Sequence, residues 1–133
     1  TTRLVGSEMC IRDRFFHSRL QMGIQTILDT VQFEELAAGT DMIFTGEGKL
    51  DSQSLRGKVV IGVARRAKAL GVPVTALVGD IGDDMEAAYD EGVSAIFSIN
   101  RVAVDFPVAK LRSRQDLSLT IDNLMRFYRT MKL

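Results

Sequence analysis

The chain has 133 residues, 46% of them hydrophobic and 26% charged, and its 17 basic and 17 acidic side chains cancel. That composition describes a globular chain, one domain or a piece of a larger one, and excludes a disordered polymer. A neutral surface offers no footprint for nucleic acid, no apolar run approaches the roughly 20 residues of a bilayer span, and one Cys with one His excludes a disulfide framework and a structural zinc site.

The N-terminus lacks the continuous apolar stretch of a secretory signal, so the expected compartment is the cytoplasm, with no membrane partner. The opening stretch, Leu4–Arg14, reads LVGSEMCIRDR and holds the one Cys, Cys10. Arg12 and Arg14 could lower its thiol pKa. The competing reading is an incidental Cys. Leu4, Val5, Met9 and Ile11 follow neither a helical nor a strand period. The eleven residues resemble the conceptual translation of a transposase-type sequencing adapter. That resemblance implies that residues 1–14 are non-native sequence joined to a truncated gene, and that the domain runs over 15–133. Without residues 1–14 the chain keeps 14 basic and 15 acidic residues.

From Phe15 to Phe33, the spacing of Leu20, Ile24, Ile27, Leu28 and Val31 predicts a helix that closes at Gly39. Met42–Thr45 is short, apolar and β-prone, and predicts a buried strand. Val59–Leu70 predicts a second helix, with Val60, Val63, Ala64, Ala67 and Leu70 on one face. Arg65, Arg66 and Lys68 form its solvated side, and Gly71 and Pro73 stop it. Val74–Gly79 is the next strand. Asp83 and Asp84 are candidate caps for a third helix that ends at Gly92. Ala95–Ile99 is a third strand, 100–112 reads as irregular, and Leu117, Ile121, Leu124, Tyr128 and Met131 mark a last helix. Strands separated by single helices predict an α/β fold, a three-layer α/β/α arrangement with a short parallel sheet. Three strands are few for such a sheet, so at least one edge is expected to have a further partner.

The stretch TGEGKLDSQSLRGK, Thr45–Lys58, leaves the first strand and enters the second helix. Ligands of open parallel sheets bind at that end. Gly46 and Gly48 permit close backbone approach and positive φ. Backbone N–H groups of such a turn favour an anion, and Lys49 and Lys58 supply point charges. Asp51 can accept a hydroxyl proton or hold Mg²⁺, and Ser52, Gln53 and Ser54 can donate hydrogen bonds. The stretch is neither a dinucleotide fingerprint nor a Walker A loop. A polar turn capped by Asp51 or Ser52 remains the competing reading. An aspartyl phosphatase needs its Asp at the strand end, whereas Asp41 stands at the strand's start. A receiver-like module needs an acidic cluster there, and only Asp80 is near such a place.

The segment DMIFTGEGKLDSQSLRGKVVIGVARRAKALGVPVTALVGDIG, followed by AAYDEGVSAIFSI, resembles the C-terminal part of the bacterial glycerate kinase family, the glycerate 2-kinases included. Leu20–Asn100 carries the resemblance, and residues 100–115 depart from it. The resemblance implies a larger two-domain glycerate kinase fold, of which this chain is a part. It implies transfer of the ATP γ-phosphoryl group to D-glycerate with Mg²⁺, giving 2- or 3-phosphoglycerate. It further implies Asp51 and Lys49 as catalytic groups, with Thr45, Gly46, Glu47, Gly48, Ser54 and Lys58 binding substrate or phosphate. It assigns no metal ligand. Glu47 stands between metal binding and a hydrogen bond to the loop backbone. The 133-residue chain alone is expected to be inactive. The alternative function is a non-catalytic α/β module that binds an anion or a nucleotide.

Overall fold

The computed structural model describes residues 23–131. The adapter-like stretch, Cys10 and His17 lie outside them. The elements are α1 (Gly23–Thr30), α2 (Phe33–Ala37), β1 (Ile43–Leu50), a 3₁₀ turn (Ser54–Arg56), α3 (Val59–Ala69), β2 (Val74–Ile81), α4 (Glu86–Asp90), β3 (Val93–Ser98) and α5 (Phe106–Met131). The sheet has the order β1-β2-β3, with both pairings parallel. The α/β class and the parallel sheet are therefore as expected.

One face of the sheet is closed. Val60, Ile61, Ala64 and Ala67 of α3 meet Val74, Ala76 and Val78 of β2, and Met85 and Ala88 of the α4 region complete the same core. Gly62 lets α1 settle on α3, because a Cβ there would lie 2.7 Å from the Ile24 side chain. Gly92 takes φ 109° after α4, a left-handed conformation that glycine accepts without the strain of a Cβ. Among the described residues, the other face is covered only by α5. Two cavities, of about 600 and 540 Å³, separate that helix from the strands. Phe44 and Phe97 on that side stay 43% and 38% exposed.

Several element limits differ from the sequence expectation, each for a local reason. The first helix breaks at Gln32, which has φ 52°, so α1 and α2 are separate pieces. β1 runs to Leu50 rather than stopping at Thr45, because β2 offers a partner along its length: Gly46 pairs with Leu77, Glu47 with Val78 and Lys49 with Asp80. Asp83 and Asp84 do not cap α4. Its N-cap position is Met85, and Asp84 has φ 57°. The last helix begins at Phe106. Pro107 sits in its first turn, where no backbone N–H donor is needed, and Asp105 O accepts from the Val108 and Ala109 N–H groups.

Candidate functional site

The larger cavity lies over the C-terminal half of β1. Its floor is Thr45–Gly48 with Leu77, Gly79 and Asp80, and its roof is the first half of α5. The glycines make this floor flat for two different reasons. A Cβ on Gly46 would lie 2.3 Å from the Leu77 carbonyl oxygen, and one on Gly79 would lie 2.6 Å from the Gly48 carbonyl oxygen. Those two glycines are required by strand packing. A Cβ on Gly48 would meet nothing within 4 Å, so that glycine leaves bare backbone facing open space. Neither Gly46 nor Gly48 has positive φ, contrary to the sequence expectation. The residue of the motif that does is Gly57, at 98°, where the 3₁₀ turn hands over to α3.

Beyond β1 the chain folds back in a tight turn. Asp51 Oδ1 accepts hydrogen bonds from the N–H groups of Gln53 at 3.0 Å and Ser54 at 3.2 Å, and lies 3.4 Å from Ser54 Oγ. Ser54 is fully buried. Its hydroxyl accepts from the Asp51 N–H at 3.2 Å and has Lys49 O at 3.4 Å as a second possible acceptor. Asp51 thus caps the turn, as in the polar-turn reading. Partial burial pushes its carboxyl up, but the Ser54 and Gln53 N–H donors and the Lys58 and Lys49 charges outweigh that, and its pKa falls below the ordinary value.

Glu47 is in the opposite condition. It lines the cavity, yet its Oε1 is buried without a hydrogen-bond partner. Burial pushes its carboxyl up and Asp51 adds to that, against the opposing charge of Lys58. A buried carboxylate oxygen without a donor is costly and asks for an explanation. Hydrogen bonding of that oxygen to the loop backbone, one of the two readings of Glu47, is not the arrangement found.

The cations divide in the same way. Lys49 Nζ lies 3.6 Å from Asp80 Oδ2, with both side chains more than half exposed, a weak pair that leaves the lysine available to an anion. Lys58 is exposed at the start of α3. Arg65, Arg66 and Lys68 are not a simple solvated face. Arg65 pairs with Glu91, Arg66 with Glu34 and Asp29, and Lys68 Nζ donates to Asp90 O at 2.6 Å. These three hold α3 to its neighbours. Among the described residues no group of three His, Cys, Asp or Glu could hold a metal ion. No helix among them is long and apolar enough to cross a membrane.

The sequence matches the glycerate kinase family over residues 12–129. The chain belongs to the glycerate kinase family. It is 42% identical to glycerate kinase of Bacillus subtilis over 85 residues, which cover 64% of this chain and 22% of that one. It is 36% identical to glycerate kinase of Haemophilus influenzae, covering 81% and 29%, and 38% identical to glycerate 2-kinase of Escherichia coli, covering 64% and 22%. A crystal structure from Salmonella typhimurium LT2 assigned to glycerate kinase 2 superposes with a TM-score of 0.68 at 29% identity, covering 92% of this chain and 31% of that one. The chain therefore spans between a fifth and a third of the length of these relatives.

Within that family frame, the structure brings Thr45, Gly46, Glu47 and Gly48 together at the cavity, with Lys49 beside it through Asp80. Asp51 and Ser54 belong to the adjoining turn. Sequence reasoning missed the roof. Phe106, Lys110 and Ser113 line the cavity, and Asn100 lines it while its Nδ2 donates to Gly79 O at 2.6 Å. A signal for the roof was present: Phe106, Ala109, Ser113, Leu117 and Ile121 recur at helical spacing.

Proposed function

We propose that this chain forms one wall of the site of a kinase that transfers the γ-phosphoryl group of ATP to D-glycerate. The observation that carries the reading is the cavity floored by Gly46, Gly48 and Gly79 at the C-terminal ends of parallel strands, in a chain of this family. Phosphoryl transfer rests on positioning and charge neutralisation more than on covalent chemistry. Gly48 lets a phosphate or the glycerate carboxylate rest against backbone. Thr45 and Glu47 line the same floor. Lys49 and Lys58 supply positive charge, and Lys49, weakly held by Asp80, turns to the transferred group. Asp51 and Ser54 fix the turn that sets both lysines in place.

A nucleotide-borne Mg²⁺ fits this donor set better than a resident metal, because Mg²⁺ commonly binds phosphates, water and only one or two carboxylates. Asp80, on the cavity floor and joined only weakly to Lys49, is the residue that would hold it. The ion would neutralise charge on the phosphates. The reading includes a cytoplasmic location, where ATP is available.

The test is a graft. Residues 23–131 replace the matching segment of Bacillus subtilis glycerate kinase, and the purified protein is assayed for ATP-dependent phosphorylation of D-glycerate. Turnover within about tenfold of the parent is the expected result. A folded graft that binds neither substrate contradicts the reading.

A further inference from the structure

The two cavities of the open face have different linings. The larger one sits toward the C-terminal ends of the strands, where ligands of parallel sheets bind. The other, of about 540 Å³, lies over their N-terminal halves, between the sheet and the C-terminal part of α5. Phe44, Thr75 and Ala95 are in register across the three strands, so they share its floor, on the face opposite Val74, Ala76 and Val78. Phe97 extends that floor, and Met125, Phe127 and Met131 of α5 form the far wall. This chemistry does not suit a phosphorylated substrate. Among the described residues no Lys or Arg lines the groove, and the Thr75 hydroxyl on its floor donates to Met42 Sδ at 3.4 Å. What the groove offers is apolar area in contact with solvent: Phe127 is 62% exposed and Met131 69%. A contiguous apolar patch of this kind marks a surface that packs against something.

We propose that this groove docks an apolar helix from the part of the glycerate kinase polypeptide that lies outside the segment matched here. Three observations choose that occupant. The chain spans 22–31% of the length of the relatives described above, so more than two thirds of such a protein has to pack around a unit like this one. The unit keeps its fold inside a longer chain, since 92% of it superposes on the Salmonella typhimurium structure with a TM-score of 0.68. A parallel sheet is ordinarily buried under helices on both faces, whereas here α5 alone stands over the second face and leaves Phe44 and Phe97 partly exposed. A helix laid beside α5 would close that face as α3 closes the other. Met125 and Met131 suit such a contact, because an unbranched thioether side chain adapts to the shape that meets it. A second copy of this chain is the competing occupant. The docking depends on the family match and not on the phosphoryl-transfer reading.

The test compares the 133-residue chain with the grafted kinase. Each is treated with dilute peroxide, and oxidation of Met131 is followed by mass spectrometry. Met131 is expected to oxidise at least about tenfold more slowly in the graft, and equal rates overturn the proposal. Each is then melted with and without the pair Phe127→Gln and Met131→Gln. The pair should leave the Tm of the 133-residue chain within about 3 °C, because both side chains are largely exposed there, and lower that of the graft by more than about 5 °C. The same small change in both overturns the proposal. A 133-residue chain that sediments as a dimer, and as a monomer once the pair is replaced, overturns it in favour of a second copy. A graft without a cooperative melt also overturns it, since the groove then fits nothing in the kinase that received it. The docking and the kinase reading fail separately. A graft that shields Met131 without turnover keeps the docking and contradicts the kinase reading, and turnover with Met131 still bare does the reverse.

Discussion

The two faces of the sheet use the same strands for opposite ends. On one face, Val74, Ala76 and Val78 meet Val60, Ile61 and Ala64 with essentially no exposure. On the other, glycines replace side chains, Phe44 and Phe97 remain partly exposed, and α5 stands off across two cavities. The closed face supplies the burial that holds β1 in place. The open face then presents bare backbone at low steric cost. Stability and the candidate chemistry thus sit back to back on one set of strands, and substitutions on the two sides should separate.

The largest expected effect comes where the two requirements meet. Gly46→Val puts a Cβ against the Leu77 carbonyl, 2.3 Å away, so β1 must leave β2. The variant should fail to fold or lose more than about 10 °C in Tm by calorimetry. Next is the closed face. Ile61→Ala removes a fully buried side chain and should cost about 2–5 kcal/mol by urea unfolding, whereas Phe97→Ala on the open face should cost less than half as much. Equal losses would erase the contrast between the faces.

Smaller effects come from the ion pairs that tie α3 to its neighbours. Arg66→Ala removes contacts to Glu34 and Asp29 and the stacking over Phe33 at 5.9 Å, and should cost about 1 kcal/mol. Glu34 is held below its ordinary pKa by its hydrogen bond to Arg66, and Glu91 by its bond to Arg65. A carboxyl with depressed pKa contributes stability that is complete above the unfolded value, near 4.5, and lost as pH falls through the folded one. Glu47 has the opposite sign: its raised pKa makes the folded state less stable as pH rises past the unfolded value. Tm measured from pH 3 to 7 should therefore rise more steeply in Glu47→Gln than in the parent, with the curves converging at the acid end. The smallest effect on stability belongs to Gly48, whose added Cβ meets nothing, so Gly48→Val should keep its Tm within a few degrees.

Much of this arrangement was legible in the sequence. The strand–helix alternation, the stops at Gly39, Gly71 and Gly92 and the turn over Asp51–Lys58 between a strand and a helix follow from periodicity and backbone chemistry. The length of β1 was not legible, because glycine reads as a turn residue until a neighbouring carbonyl is known to press on it. The early start of α5 was hidden by Pro107, which reads as a breaker but is tolerated in a first turn. The difference between Glu47 and Asp51 could not be read at all. Both are carboxylates in one polar stretch, and only the fold shows that Asp51 Oδ1 has backbone donors and that Glu47 Oε1 has none.

The central claim is that the glycine-floored cavity on the open face is where substrate is held. Its most direct test is turnover of D-glycerate and ATP by the grafted kinase carrying Gly48→Val, measured beside its thermal melt. The account predicts an unchanged melt with kcat/KM reduced at least about tenfold, because a side chain now occupies the space a ligand needs. An unchanged melt with full kcat/KM would contradict it.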